Sequence, residues 1–371
     1  RAARDEVDEL AGYLSVCHAS SSCSMVATLV RPPQCTLGGQ SQSRAKWWHM
    51  NLSQALEHAN AFVFPGFLTD AEALNAERQK NEEAIQLLMD AWRTSAPGAE
   101  PFSFDLVRNL ADRNRTTCDS YGTELLRDLP PTSLSRKLSD EDLIRSVAAL
   151  QHRSFDEVAR SAGPDARDLA TAYVEAPVSG TILGIDIETT DRDPSRGYII
   201  NVGLEFMELT PKAKPQRPFM GYCGLPDLYR EKGVPLSFVH HIGWAQLEGR
   251  KPFRQDRKMQ EALLAAMEAF PYMAHNAAFE DSWFMLQLDG YAEARKAGRI
   301  VPIDTRDICR RVDPEYKMLP HDSRPAALES WARRRGTLKA SEKEKHLGLE
   351  DVDLMFRTVQ AEFAERNMFA E

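Results

Sequence analysis

The pattern of apolar and polar residues changes character near residue 177. Before it, apolar residues recur with the period of about 3.6 that marks amphipathic helices; after it, runs of period about 2 predict strands. Residues 1–15 predict a short helix, and the Ser-, Gly-, Gln- and Pro-rich stretch over 17–45 predicts irregular chain. From Trp47 the signal is helical. Thr69-Asp70-Ala71-Glu72 forms a capping box ahead of Leu74, Ile85, Leu88, Met89 and Trp92, which predicts a long helix. Prolines and short apolar runs between about 97 and 135 predict two short helices joined by loops. Further helices are expected behind Ser139, behind the capping box Ser154-Phe155-Asp156-Glu157, and from Gly163-Pro164 to Val174. Ala176-Pro177-Val178-Ser179-Gly180 then reads as a junction between a mainly helical domain (1–176) and a second domain (177–371).

The second domain opens on Thr181-Ile182-Leu183-Gly184-Ile185-Asp186-Ile187-Glu188-Thr189-Thr190, an apolar β-branched run that predicts a buried central strand. Residues two apart on a strand share a face, so Asp186 and Glu188 can share a divalent cation. Further strands are expected at Tyr198–Leu209, at 218–225, ending at His275-Asn276 and at Pro302–Thr305. Helices are expected over about 257–270, Ala277–Leu288, Ala326–Arg335 and Asp351–Glu365. In the Ala277–Leu288 helix, Phe279, Trp283 and Leu286 fall at core-facing spacing, with Glu280 one residue round from that stripe. The alternation predicts an α/β domain with a mixed sheet whose first strands pair antiparallel.

Composition narrows the class. The chain has 371 residues, 43% of them hydrophobic, 27% charged, and a net charge of −9. No apolar run approaches the roughly 20 residues that span a bilayer, so a cytoplasmic protein without membrane association is expected. The acidic balance argues against a broad basic surface but not against nucleic acid, because acids around metal ions are neutralised locally. The six cysteines include no Cys-x-x-Cys pair, which suggests reduced thiols; Cys17, His18, Cys23 and Cys35 match no recurring zinc spacing. Trp47 and Trp48 beside Arg44 and Lys46 could stack on bases, although buried aromatics are commoner.

The motifs of the second domain come in a recognisable order: Asp186-x-Glu188-Thr-Thr, His241-Ile-Gly, His275-Asn-Ala-Ala-Phe-Glu280, Asp304-Thr and His346-Leu-Gly-Leu-Glu-Asp351. Over about 178–371 the chain resembles the DEDD superfamily of 3′-to-5′ exonucleases. The histidine before the last acid resembles the DEDDh branch, which includes the proofreading subunit of bacterial DNA polymerase III and ribonuclease T. The resemblance implies a ribonuclease H-like fold, a five-stranded mixed sheet flanked by helices. It also implies two Mg²⁺ or Mn²⁺ ions held by Asp186, Glu188, Glu280 and Asp351, and release of nucleoside 5′-monophosphates. His346 would be the general base; five residues from Asp351 is about 140° on one helix, which puts it in the preceding loop. Substrate contacts are implied at Thr189, Thr190, His241, Ile242 and Gly243, with Phe279 or Trp283 lining the terminal-nucleotide pocket if they do not pack in the core.

One position departs from the family. The usual aspartate is Glu280 here, followed by Asp281, which could substitute by a shift of the helix start. The expected substrate is a single-stranded end, DNA slightly ahead of RNA, with a protein partner for the helical half. The alternatives are an RNA-processing or RNA-decay exonuclease and a degenerate binding or scaffold protein.

Overall fold

The computed structural model describes residues 50–60, 71–95, 104–121, 174 and 176–370. The expected features at 1–15, Cys17 to Cys35, Trp47 and Trp48, Thr69-Asp70, 122–135, Ser139, Ser154 and Gly163-Pro164 lie outside these residues. The described chain falls into two compact units, one holding 50–121 and the other 174–370. Among the described residues no helix is long and apolar enough to cross a membrane.

The first unit contains helices α1 (Leu52–Asn60), α2 (Ala71–Thr94) and α3 (Phe104–Tyr121). In α2, Ile85, Leu88, Met89 and Trp92 are buried as their spacing predicts. The α3 helix corrects the expectation of a short element, since it runs 18 residues through Arg113-Asn114-Arg115. Asn114 and Arg115 are buried rather than breaking the helix. Asn81 explains part of this: its amide donates to Asn114 Oδ1 (3.3 Å), and its Oδ1 meets His58 Nε2 (2.8 Å), so a polar contact links all three helices.

The second unit is α/β, with strands β1 (Thr181–Thr189), β2 (Ile199–Glu208), β3 (Gln216–Tyr222), β4 (Tyr272–Ala274) and β5 (Pro302–Asp304). They form one five-stranded mixed sheet in the order β3-β2-β1-β4-β5. β1–β2 and β2–β3 pair antiparallel, β1–β4 and β4–β5 parallel. The third strand begins and ends earlier than expected, and Thr305 opens a helix rather than closing β5. Helices flank the sheet: α4 (Ser237–His240), α5 (Arg257–Ala269), α6 (Ala278–Gln287), α7 (Thr305–Val312), α8 (Leu328–Arg334) and α9 (Gly348–Glu365). Phe206 of β2 meets Phe270 after α5 on one face (centroids 5.4 Å apart), while α9 lies on the other.

Glycines bring α9 unusually close to the two central strands. A Cβ on Gly203 would lie 2.0 Å from the Leu349 nitrogen, one on Gly184 2.5 Å from Val352 Cγ1, and one on Gly348 2.7 Å from both Asn201 Oδ1 and the Gly203 nitrogen. No side chain fits between strand and helix there. Because Gly184, Asp186 and Glu188 share a face, the helix start descends directly onto the two carboxylates. The other end of α9 is held differently. Glu362 accepts from Trp331 Nε1 (2.7 Å) and pairs with Arg335 (3.1 Å) and Arg366 (3.1 Å), while Arg334 and Arg335 also pair with buried Asp313 (2.7 and 3.2 Å).

Candidate metal centre

Asp186 and Glu188 stand near the carboxyl end of β1, opposite Gly203 and Asn201 of β2, and a register shift follows at Glu188/Thr189. Asp351 comes from the first turn of α9, which starts three residues earlier than the sequence suggested. One ligand oxygen from each of Asp186, Glu188 and Asp351 lies within 4.8 Å of the others. Burial, then the charges of Glu188 and Asp351, holds Asp186 well above the ordinary carboxylate range. Burial, then Asp351, pushes Glu188 up to about 9, and burial, then Glu344, pushes Asp351 up to about 7. Three half-buried or buried acids facing one another without a cationic side chain are costly unless protonated or bound to a cation.

His346 lies in the loop before α9, exposed, with its backbone in the left-handed region (φ 52°). Its ring, the Glu344 carboxylate and Asp351 form a second mutual group within 4.8 Å. Glu344 went unnoticed in the sequence, where it is one acid in a Lys-Glu-rich run. Its backbone nitrogen donates to Glu329 Oε2 (3.1 Å), and burial followed by the Glu329 charge raises its carboxyl to about 7.

Glu280 is buried in the first turn of α6, next to half-buried Phe279 of the expected stripe. Its Oε2 has no hydrogen-bond partner. Burial raises its pKa, with Asp304 and Glu188 adding to the effect, although it does not join either mutual group. Asp281 points elsewhere, accepting from Tyr291 Oη (2.7 Å) and Arg295 Nε (3.1 Å), and is thereby committed to packing. Asp304 accepts from the backbone nitrogens of Asn276 (3.0 Å) and Arg306 (2.9 Å) and caps α7.

A cleft of about 340 Å³ opens beside Glu188, lined by Thr189, Arg192, Leu236, Val239, Asn276 and Phe279 among others. Phe279 is therefore half-buried at the cleft wall rather than in the core, whereas Trp283 is fully buried. Thr189 Oγ1 donates to the Asp191 carbonyl (2.7 Å), and Thr190 Oγ1 accepts from the Tyr198 nitrogen (2.9 Å), so the latter hydroxyl serves the turn. Ile242 is buried against Ile200, Leu225 and Tyr229, and the Gly243 nitrogen donates to Gln246 Oε1 (2.9 Å). His241 is exposed. His240 donates Nε2–H to the Pro235 carbonyl (3.0 Å) and accepts at Nδ1 from the Ile242 nitrogen (3.0 Å), which fixes α4 at the cleft. His275 is likewise structural: Nε2 donates to the Ala326 carbonyl (2.9 Å), Nδ1 meets Thr305 Oγ1 (3.0 Å), and burial lowers its pKa to about 3.

The donor chemistry fits a hard divalent cation. Asp186, Glu188 and Asp351 offer only oxygens, and the unpartnered Oε2 of Glu280 is a further buried acceptor among these acids. Set against known proteins, the chain matches no family model and no curated protein.

Proposed function

We propose that the second domain is a DEDDh-type 3′-to-5′ exonuclease that hydrolyses single-stranded nucleic-acid ends, DNA slightly preferred, to nucleoside 5′-monophosphates. The observation that carries the reading is the convergence of Asp186, Glu188 and Asp351 from a strand and a helix far apart in sequence, with His346 beside Asp351. The strand order, three antiparallel strands continued by two parallel ones with α9 across the centre, supports a ribonuclease H-like assignment.

In this reading Asp186, Glu188 and Asp351 hold Mg²⁺ or Mn²⁺, with Glu280 contributing from α6. Two such ions would supply Lewis-acid stabilisation of the attacking and leaving oxygens. His346, exposed on its loop and free to approach the reacting atoms, takes a proton from the attacking water. The cleft beside Glu188 receives the terminal nucleotide, with Thr189 and Phe279 on its wall and His241 to Gly243 building the adjoining loop. Residues 1–176 serve a partner or present substrate to this domain. A second reading, a degenerate nucleic-acid-binding or scaffold protein, is favoured by one observation: Glu280 stands outside the mutual carboxylate group.

Digestion of 5′-labelled single-stranded DNA and RNA of equal sequence, in Mg²⁺, Mn²⁺ or chelator, tests the proposal. A metal-dependent ladder from the 3′ end, lost in Asp186→Ala and His346→Ala, is the expected result, and the preferred strand names the substrate. Folded protein that shortens neither strand in either metal sinks it in favour of the degenerate reading.

A further inference from the structure

The turn between β1 and β2 carries two arginines with opposite fates. Arg196 folds back onto the turn and pairs with Asp191 (2.8 Å) and Asp193 (3.5 Å). The backbone beneath is fixed by side-chain acceptors: Asp191 Oδ1 takes the Asp193 nitrogen (2.9 Å), and Asp193 Oδ1 takes the Ser195 nitrogen (2.8 Å) and hydroxyl (2.7 Å). From the other side, Gln287 Nε2 donates to the carbonyls of Pro194 (3.2 Å) and Gly197 (2.9 Å). Arg192 stands on this braced turn, exposed, on the wall of the cleft beside Glu188. Among the described residues it makes no ion pair and no hydrogen bond. The fold has used one guanidinium for its own turn and left the other facing the cleft.

We propose that Arg192 binds a non-scissile phosphate of the nucleic-acid end that occupies the cleft. The inference rests on the nuclease reading and assigns this chain a specificity residue within it. Leu236, Val239 and Phe279 give the cleft an apolar wall suited to the face of a base, and a base so placed carries its sugar and phosphates toward the cleft rim. An unpaired guanidinium matches a phosphate there through two parallel N–H donors, which an ammonium cannot do. Two phosphates meet this description: a 3′-phosphate on the terminal nucleotide, or the diester one step upstream of the scissile bond.

The experiment uses the full chain as wild type, Arg192→Ala and Arg192→Lys. Calorimetric titration in Mg²⁺ measures binding of adenosine 5′-monophosphate and adenosine 3′,5′-bisphosphate, and digestion is followed on oligomers ending in a 3′-hydroxyl or a 3′-phosphate. If the phosphate is terminal, the wild type binds the bisphosphate about tenfold more tightly than the monophosphate, as a charge-assisted bidentate pair warrants. Arg192→Ala abolishes that preference, and Arg192→Lys keeps about a third of it. If the phosphate is the upstream diester, the two nucleotides bind alike, but Arg192→Ala raises KM about tenfold for both oligomers, with the loss on KM rather than kcat. A preference for the bisphosphate without digestion of any oligomer would end the nuclease reading and leave the phosphate site standing. An Arg192→Ala protein that melts like wild type and changes neither nucleotide affinity nor oligomer KM by more than about twofold overturns the proposal.

Discussion

The two ends of α9 each bury a carboxylate, and they do so in opposite company. Glu362, near the C-terminal end, is surrounded by Trp331, Arg335 and Arg366, so its charge is matched by donors and guanidinium groups. Asp351, in the first turn, faces Asp186, Glu188 and Glu344, all of its own sign, with His346 beside them. One helix thus contains a buried acid ringed by cations and donors and a buried acid that, beyond its backbone hydrogen bonds, is ringed by other acids. Burial alone does not mark function; the sign of the neighbours does.

This contrast can be broken first at the end where acids face one another. Asp186→Asn should reduce hydrolysis by about a thousandfold or more, since Lewis-acid stabilisation is worth several kcal/mol. Its melting temperature in chelator should hold or rise, because the cost of keeping a buried carboxyl protonated among other acids is gone; a fall of many degrees would mean that Asp186 is structural. The mirror experiment is Glu362→Ala. It leaves the Trp331 N–H without its acceptor and takes one of several carboxylates from Arg335, and should cost about 1–3 kcal/mol in denaturant unfolding. Activity per folded molecule should survive, and its loss would make the two ends functionally alike. Gly203→Ala comes next: a methyl 2.0 Å from the Leu349 nitrogen must lift the start of α9, at about 1–3 kcal/mol, with a drop in kcat as Asp351 withdraws.

The smallest expected effect is a dependence of stability on pH. Glu188 and Asp351 titrate near 9 and 7 in the folded protein against ordinary values of 4.5 and 3.8, so between those limits the folded state holds more protons than the unfolded chain. Stability in chelator should therefore fall progressively as pH rises from about 4 and level off above about 9, with a matching decline in melting temperature. Mn²⁺ or Mg²⁺ should remove the slope by taking the place of the protons. A melting temperature in chelator that rises over this window would contradict the carboxylate repulsion itself.

Much of this geometry was legible in the sequence, for identifiable reasons. The β-branched run ending in Asp186 and Glu188 has the strand period, and acids rarely sit on an apolar strand for packing. His346 and Asp351 were placed by their spacing, because five residues do not fit one helical face. The choice between Glu280 and Asp281 could not be made from adjacency; it depends on Tyr291 and Arg295, which reach Asp281 from a neighbouring helical segment. Glu344 was hidden among similar charges in its loop, and only the fold singles it out. The length of α3 is hidden by the alternation of prolines, arginines and short apolar runs over 97–135, which reads as two short helices, whereas Asn81 from the neighbouring helix partners the buried Asn114 within one continuous helix. The glycines were a readable signal left unused: Gly184 and Gly203 inside strands mark a close backbone approach.

Those glycines also act as a caliper. At Gly203 of β2 strand backbone meets the backbone of Gly348 and Leu349, and at Gly184 of β1 the Val352 and Phe356 side chains fill the space a Cβ would take, so the glycines set how closely the first turn of α9 approaches the sheet. The aperture between Asp186, Glu188 and Asp351 depends on that approach. A fixed aperture discriminates between ions by radius, because Mg²⁺ needs oxygens at about 2.1 Å while Ca²⁺ takes more of them at about 2.3–2.6 Å. Cation choice in this protein would then be written in three residues that possess no side chain and touch no ion.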